Sequence, residues 1–101
     1  MELSFEDKTY ERMERDAGYS NGLPAPVVSL YRSRLQLLRA ACSPRDLSAM
    51  RCLDFRPLPD RPGQQHAVRL NDEYRLVFEL NGRTADGVEQ IVVLGVDEGA
   101  P

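Results

Sequence analysis

Arg56, Arg61, Arg69 and Arg75 stand close together in the second half of the chain, with the single histidine, His66, among them. A guanidinium offers a rigid fork of donors that matches a phosphate. Several on one surface would bind a phosphodiester and stabilise the extra negative charge of a cleavage transition state. The spacing leaves a plainer alternative open, in which each arginine pairs with Asp54, Asp60, Asp72 or Glu79 on the surface. His66 titrates near neutrality and is a candidate general acid or base, or else a hydrogen-bonded strand residue. The carboxylate pairs Asp72-Glu73 and Asp97-Glu98 fall in an expected turn and an expected polar tail (97–101), and read as solvated surface. No Gly-rich phosphate loop, HExxH or nucleophile elbow is present, and no cysteine neighbours His66. Cys42 and Cys52, ten apart, form neither a CxxC pair nor a Cys/His metal pattern. Two buried, reduced thiols are expected, with no metal and no cofactor.

The arginines need a scaffold, and the stretch that carries three of them supplies one. Gly63 opens a turn into His66-Ala67-Val68-Arg69-Leu70. Asn71-Asp72 then reverses the chain into a strand from Tyr74 to Leu80. On that strand Tyr74, Leu76, Phe78 and Leu80 share one face, which predicts core packing for them. Cys52–Leu58 reads as the preceding strand, closed by Pro57 and Pro59. Asn81-Gly82 is a turn signal. Val88–Val96, with its run Ile91-Val92-Val93-Leu94, reads as a last strand buried on both faces.

The first half is helical. Leu3-Ser4-Phe5 suits a short opening strand and Asp7–Ala17 a helix, which Gly18-Tyr19-Ser20-Asn21-Gly22 ends. Pro24 and Pro26 sit at a helix entrance. Val27, Leu30, Tyr31, Leu35, Leu38 and Cys42 then follow helical spacing, leaving Arg32, Arg34 and Arg39 largely off that face. Ser43-Pro44 stops this helix and begins another short turn of helix to Met50. Helices first and a meander afterwards predict an α+β fold, with N-terminal helices packed on one face of a small antiparallel sheet.

One domain spanning 1–101 fits the length of 101 residues. A hydrophobic content of 42% with 29% charged residues is ordinary for a globular protein. No apolar run is long enough for a membrane span, and the acidic start lacks a signal peptide, so a cytoplasmic location is expected. The net charge of −3 argues against general affinity for nucleic acid. Its distribution argues otherwise: residues 30–75 hold nine arginines against five acids, while both flanks are acidic.

The hairpin Gly63-Gln64-Gln65-His66-Ala67-Val68-Arg69-Leu70-Asn71-Asp72-Glu73-Tyr74-Arg75-Leu76-Val77-Phe78 resembles the core hairpin of RelE/ParE-superfamily toxins, most closely the HigB-like plasmid maintenance killer branch. The resemblance extends back through the helix around Tyr31–Ala41, through Arg45-Asp46-Leu47, and through Phe55–Gln64, in the same order. It implies the toxin of a type II toxin–antitoxin system, a metal-independent endoribonuclease that cuts messenger RNA on the ribosome. Its implied partners are a cognate helix-turn-helix antitoxin, the ribosome with its message, and operator DNA reached only through the antitoxin complex. Arg75 matches the family's functional hairpin arginine, and Asp97 is the counterpart of a C-terminal catalytic aspartate. Carried over, the site is Arg75, Asp97 and His66 for catalysis, with Arg56, Arg61 and Arg69 holding RNA. The chain departs from the family where Arg56 replaces a histidine and Pro59 a lysine, and a closing Tyr and His are missing. These losses and the acidic balance motivate an alternative: a non-catalytic protein on the same fold, either a gyrase inhibitor or a decayed toxin that only binds its antitoxin.

Overall fold

In a computed structural model that describes residues 1–98, the first half of the chain is built by arginine and tyrosine as much as by aliphatic residues. Strand β1 (Glu2–Phe5) leads into helix α1 (Lys8–Arg15), capped at its start by the Asp7 carboxylate, which accepts from the Thr9 N–H at 2.9 Å. The chain leaves α1 at Asp16, and Arg32 on the next helix closes the end. Its guanidinium donates to the carbonyls of Met13 (2.8 Å) and Asp16 (2.9 Å), a cation at a helix C-terminus. Helix α2 (Ala25–Ala40), with Pro26 in its first turn, buries Val27, Val28, Tyr31, Leu35 and Leu38. Leu30 is only half-buried, and Cys42 lies beyond the helix end and is exposed. Arg39 grips Glu14 of α1 with two nitrogens. Helix α3 (Pro44–Ala49) sends Leu47 into the same core.

The second half forms the sheet. Its strands β2 (Arg56–Pro57), β3 (Gln65–Arg69), β4 (Tyr74–Arg83) and β5 (Glu89–Glu98) join β1 in the order β1-β5-β4-β3-β2. All neighbours are antiparallel except β1 and β5, which run parallel because the chain crosses the helices before returning. The α+β class and the one-sided helix layer are as expected. Val68, Leu70, Leu76, Phe78, Ile91 and Val93 meet the helices on the covered face. Tyr74 and Leu80 pack beside them, partly buried. Among the described residues, no helix is long and apolar enough to cross a membrane.

Several local expectations are corrected. Cys52–Leu58 is not one strand: Arg51–Leu53 is a 3-10 turn that drops Leu53 into the core. Asp54 then turns the chain at φ 45°, leaving only two residues to pair with β3. Asn81-Gly82 does not reverse the chain. It forms an irregularity within β4, with Gly82 at φ +80°, and the reversal comes at Thr84–Gly87, where the Gly87 N–H donates to the Thr84 carbonyl. Strand β5 is covered on one face and half-covered on the other, its exposure alternating through Ile91, Val92, Val93 and Leu94. Both cysteines are free and exposed rather than buried, Cys42 just past the end of α2 and Cys52 within the 3-10 turn Arg51–Leu53. Asp97 and Glu98 belong to β5 and not to a tail, while residues 99–101 lie outside the described residues.

A β-bulge in β5 decides what that strand presents. Val77 faces Gly95 but Phe78 faces Val93, so Leu94 is an extra residue. With strict alternation Ile91 and Val93 would carry positions 95 and 97 onto the core face. The bulge shifts the phase by one. Val96 then packs with the core opposite Leu76, and Asp97 comes opposite Arg75 on the uncovered face. Gly95 is the residue that permits this. Its φ is +151°, and a Cβ there would lie 2.8 Å from the Tyr10 ring.

Candidate functional site

The uncovered face of the sheet forms the floor of a cleft of about 690 Å³. Ala67, Arg69 and Arg75 lie on the floor, Arg56 and the Leu58–Arg61 loop form one wall, and Asn71 to Tyr74 close one end. The loop is tied at its base by the Leu58 N–H donating to the Gln65 carbonyl at 2.9 Å. It turns back at Gly63 (φ +71°), where a Cβ would come within 2.9 Å of the Glu79 carboxylate. The hairpin turn is fixed by the Asn71 side chain, whose oxygen accepts from the N–H groups of Glu73 and Tyr74, both at 2.9 Å. Arg34 reaches from α2 to the Arg69 carbonyl at 3.2 Å and pins the end of β3. Arg32, Arg34 and Arg39 are therefore committed to holding the helices and the hairpin, while Arg56, Arg61, Arg69 and Arg75 line the cleft.

Within the cleft the arginines form a gradient of depth. Arg56 is open to solvent and Arg69 half so. Arg61 is 35% exposed and Arg75 22%. Every one faces an aspartate. Arg56 pairs with Asp54 at 2.9 Å and Arg69 with Asp72, the local surface pairs that sequence spacing already allowed. The deeper two share Asp97. Arg61 donates to its carboxylate at 2.6 Å, and a terminal nitrogen of Arg75 lies 3.6 Å from the same oxygen. Arg75 Nε, buried, has no hydrogen-bond partner. A buried donor left unpaired is costly in a structure that satisfies nearly all such groups, which marks this N–H out within the cluster.

His66 takes no part. It lies on the other face of β3, opposite Phe78 and Pro57, and does not line the cleft. Its ring stacks on Phe55 with centroids 5.0 Å apart and on Phe78 at 6.4 Å, and Nδ1 lies 3.1 Å from the Gln64 carbonyl. Of the residues picked out by sequence, then, the structure brings together Arg56, Arg61, Arg69, Arg75 and Asp97, and sets His66 apart by strand parity. Sequence spacing missed the three-way cluster, because Asp97 is 22 or more positions from either arginine. The available signal was Gly95, a glycine inside an apolar strand, which marks a bulge and hence a change of phase.

A solved YoeB/ParE toxin from Agrobacterium tumefaciens matches this arrangement of elements with a TM-score of 0.58. The match covers 99% of this chain and 100% of that one at 17% sequence identity. This is the YoeB/ParE toxin fold. It is the fold expected from the resemblance of the hairpin to RelE/ParE-superfamily toxins. No family model and no curated protein matches the sequence, so the likeness is carried by topology. In this version of the YoeB/ParE fold, Arg75 on the sheet floor and Arg61 on the loop wall meet at Asp97 of β5, with Arg56 and Arg69 more exposed.

Proposed function

We propose that the chain is the toxin of a toxin–antitoxin pair and cuts messenger RNA on the ribosome. The observation that carries this reading is the pair Arg61 and Arg75, which line an open cleft and both reach the Asp97 carboxylate, with Arg75 Nε left unpaired. Arg56 and Arg69 hold flanking phosphates at the rim. Arg75 donates to the scissile phosphate and stabilises its added charge as the substrate's 2′-oxygen attacks phosphorus. Asp97 accepts the 2′-hydroxyl proton, the bond to the 5′-oxygen breaks, and that oxygen takes a proton from water in the open cleft. The products are a 2′,3′-cyclic phosphate and a 5′-hydroxyl. His66, stacked on the far face, serves the fold. A helix-turn-helix antitoxin silences the toxin and carries the pair to operator DNA.

Expression without an antitoxin should arrest growth and leave transcripts cut at ribosome-bound positions. Arg75→Ala should lower cleavage by about 100-fold or more, the usual loss for one donor to a transition-state anion. Unchanged killing by that variant would sink the mechanism.

One observation favours a second reading. Among the described residues the cleft is lined by no histidine or lysine, and the carboxylate that meets Arg61 and Arg75, Asp97, is already paired with both. A binding protein needs no proton transfer. Intact messages beside inhibited supercoiling would identify a gyrase inhibitor. Tight antitoxin binding without growth arrest would identify a decayed toxin.

A further inference from the structure

Asp97 occupies the position between Arg61 and Arg75, two arginines that line the cleft. Two guanidinium groups converge on one of its carboxylate oxygens, at 2.6 Å from Arg61 and 3.6 Å from Arg75. An anionic phosphate oxygen could take the same position between the two groups. The contact is not a rigid core feature, since Asp97 is 34% exposed and Arg61 35%. It is also unevenly made: Arg61 is engaged closely, Arg75 loosely, and Arg75 Nε not at all. One carboxylate therefore fills the seat only in part. The rim repeats the pattern, with Asp54 on Arg56 and Asp72 on Arg69. Each cationic group that would hold a polyanion is thus covered by an aspartate of the same chain.

We propose that Asp97 is an internal stand-in for a phosphodiester group, holding the Arg61/Arg75 seat until a ligand phosphate displaces it. Resting on the functional reading above, this adds a step to it. The empty toxin is masked against stray anions, because a single phosphate must compete with a carboxylate whose effective concentration is high. A strand that also engages Arg56 and Arg69 recovers the cost across several contacts. Displacement does two things at once: it delivers the phosphate to Arg75 Nε, and it frees the carboxylate beside that phosphate. The proton acceptor thus becomes available only when substrate is seated.

The test separates binding from chemistry. Asp97→Asn keeps the shape of the side chain and removes its charge. Inorganic phosphate and a 2′-O-methyl trinucleotide, which cannot be cut, serve as probes, with binding read by calorimetry. The variant should bind both on the order of tenfold more tightly than the parent, since a neutral amide no longer competes for the two guanidinium groups. Adding Arg61→Gln to Asp97→Asn should abolish the gain. Equal or weaker binding by Asp97→Asn, or a gain that survives loss of Arg61, overturns the proposal. A second measurement needs no variant. Phosphate titrated into the parent protein should move the Arg75 Nε–H and Asp97 carboxylate nuclear magnetic resonances together. An arginine signal that moves while the carboxylate stays still means that nothing was displaced, and also overturns it. Cell killing is scored apart. A parent protein that leaves RNA intact while Asp97→Asn binds phosphate more tightly keeps this inference and removes the nuclease reading. A parent that cuts RNA while Asp97→Asn gains no affinity does the reverse.

Discussion

Arg75 and Arg61 carry the same charge but are placed to do different work. Arg61 comes from a loop and already has a close partner. Arg75 sits in the middle of the sheet, where its backbone is held by pairing to Arg69 on one side and to Asp97 on the other. A group fixed on a strand is the better transition-state donor, since it needs little reorganisation. Its value also lies in the Nε–H as much as in the charge. Arg75→Lys should therefore fail to preserve phosphate binding, losing on the order of tenfold in affinity although net charge is unchanged, because a lysine lacks the fork. Calorimetry with inorganic phosphate on the Asp97→Asn background reads this directly. The rim behaves otherwise. Arg56 and Arg69 are exposed, and their removal should weaken all RNA sequences alike and lower the salt dependence by less than one counterion contact each, since each gives up an aspartate on binding. At this scale the sequence was readable in part. The local pairs Arg56–Asp54 and Arg69–Asp72 follow from short spacing, but Asp97 reaches Arg61 and Arg75 only through tertiary pairing.

The element that makes the site is the bulge in β5. Alternation alone would turn Asp97 toward the helices, where a carboxylate would need burial or a partner that the core lacks. The apolar run Ile91–Leu94 announced a strand but concealed its change of phase, because both faces of the run are hydrophobic. Gly95 was the one visible clue. Gly95→Ala forces a side chain into φ +151° and brings a Cβ to 2.8 Å from the Tyr10 ring. It should destabilise the fold by about 1–3 kcal/mol, the range for strained backbone, as measured by chemical denaturation. The same variant should tighten phosphate binding, since β5 must re-register and its Asp97 carboxylate then no longer occupies the Arg61/Arg75 seat.

The helix layer has its own titration. Tyr31 is fully buried, and its hydroxyl donates to the Tyr10 carbonyl at 2.8 Å. Burial, with the Glu14 charge adding to it, raises its pKa far above the ordinary tyrosine range. Above a pH of about 10 the unfolded chain releases this proton while the folded chain keeps it, so stability falls as pH rises. Thermal melts of the parent should drop between neutral and strongly alkaline pH, and Tyr31→Phe should flatten that part of the drop.

For the whole molecule, the decisive quantity is how little field the cleft projects. The chain carries a net charge of −3, and the fold sends seven of the nine arginines of its basic middle segment to two unrelated uses. Arg32, Arg34 and Arg39 tie the helices to each other and to the hairpin. Arg56, Arg61, Arg69 and Arg75 face the cleft with Asp54, Asp72 and Asp97 against them. The linear sequence showed the charge segregation but not this division, which depends on which face of which element each arginine occupies. Such a surface exerts weak long-range attraction on nucleic acid, because the opposing charges lie within a Debye length of one another. On the proposed function, such a surface would suit RNA that another particle holds in place. Free single-stranded RNA should therefore bind with a shallow salt dependence. Four cationic contacts newly made to phosphate would give a log–log slope of about −2.8 at roughly 0.7 per contact. Contacts that merely exchange an aspartate for a phosphate release fewer counterions, so the parent slope should be clearly smaller in size. Asp97→Asn should steepen it, since Arg61 and Arg75 then enter the complex without an internal partner. Fluorescence anisotropy with a 2′-O-methyl oligonucleotide across a salt series measures both slopes, and a parent as steep as the variant would mean that the aspartates do not mask the cleft.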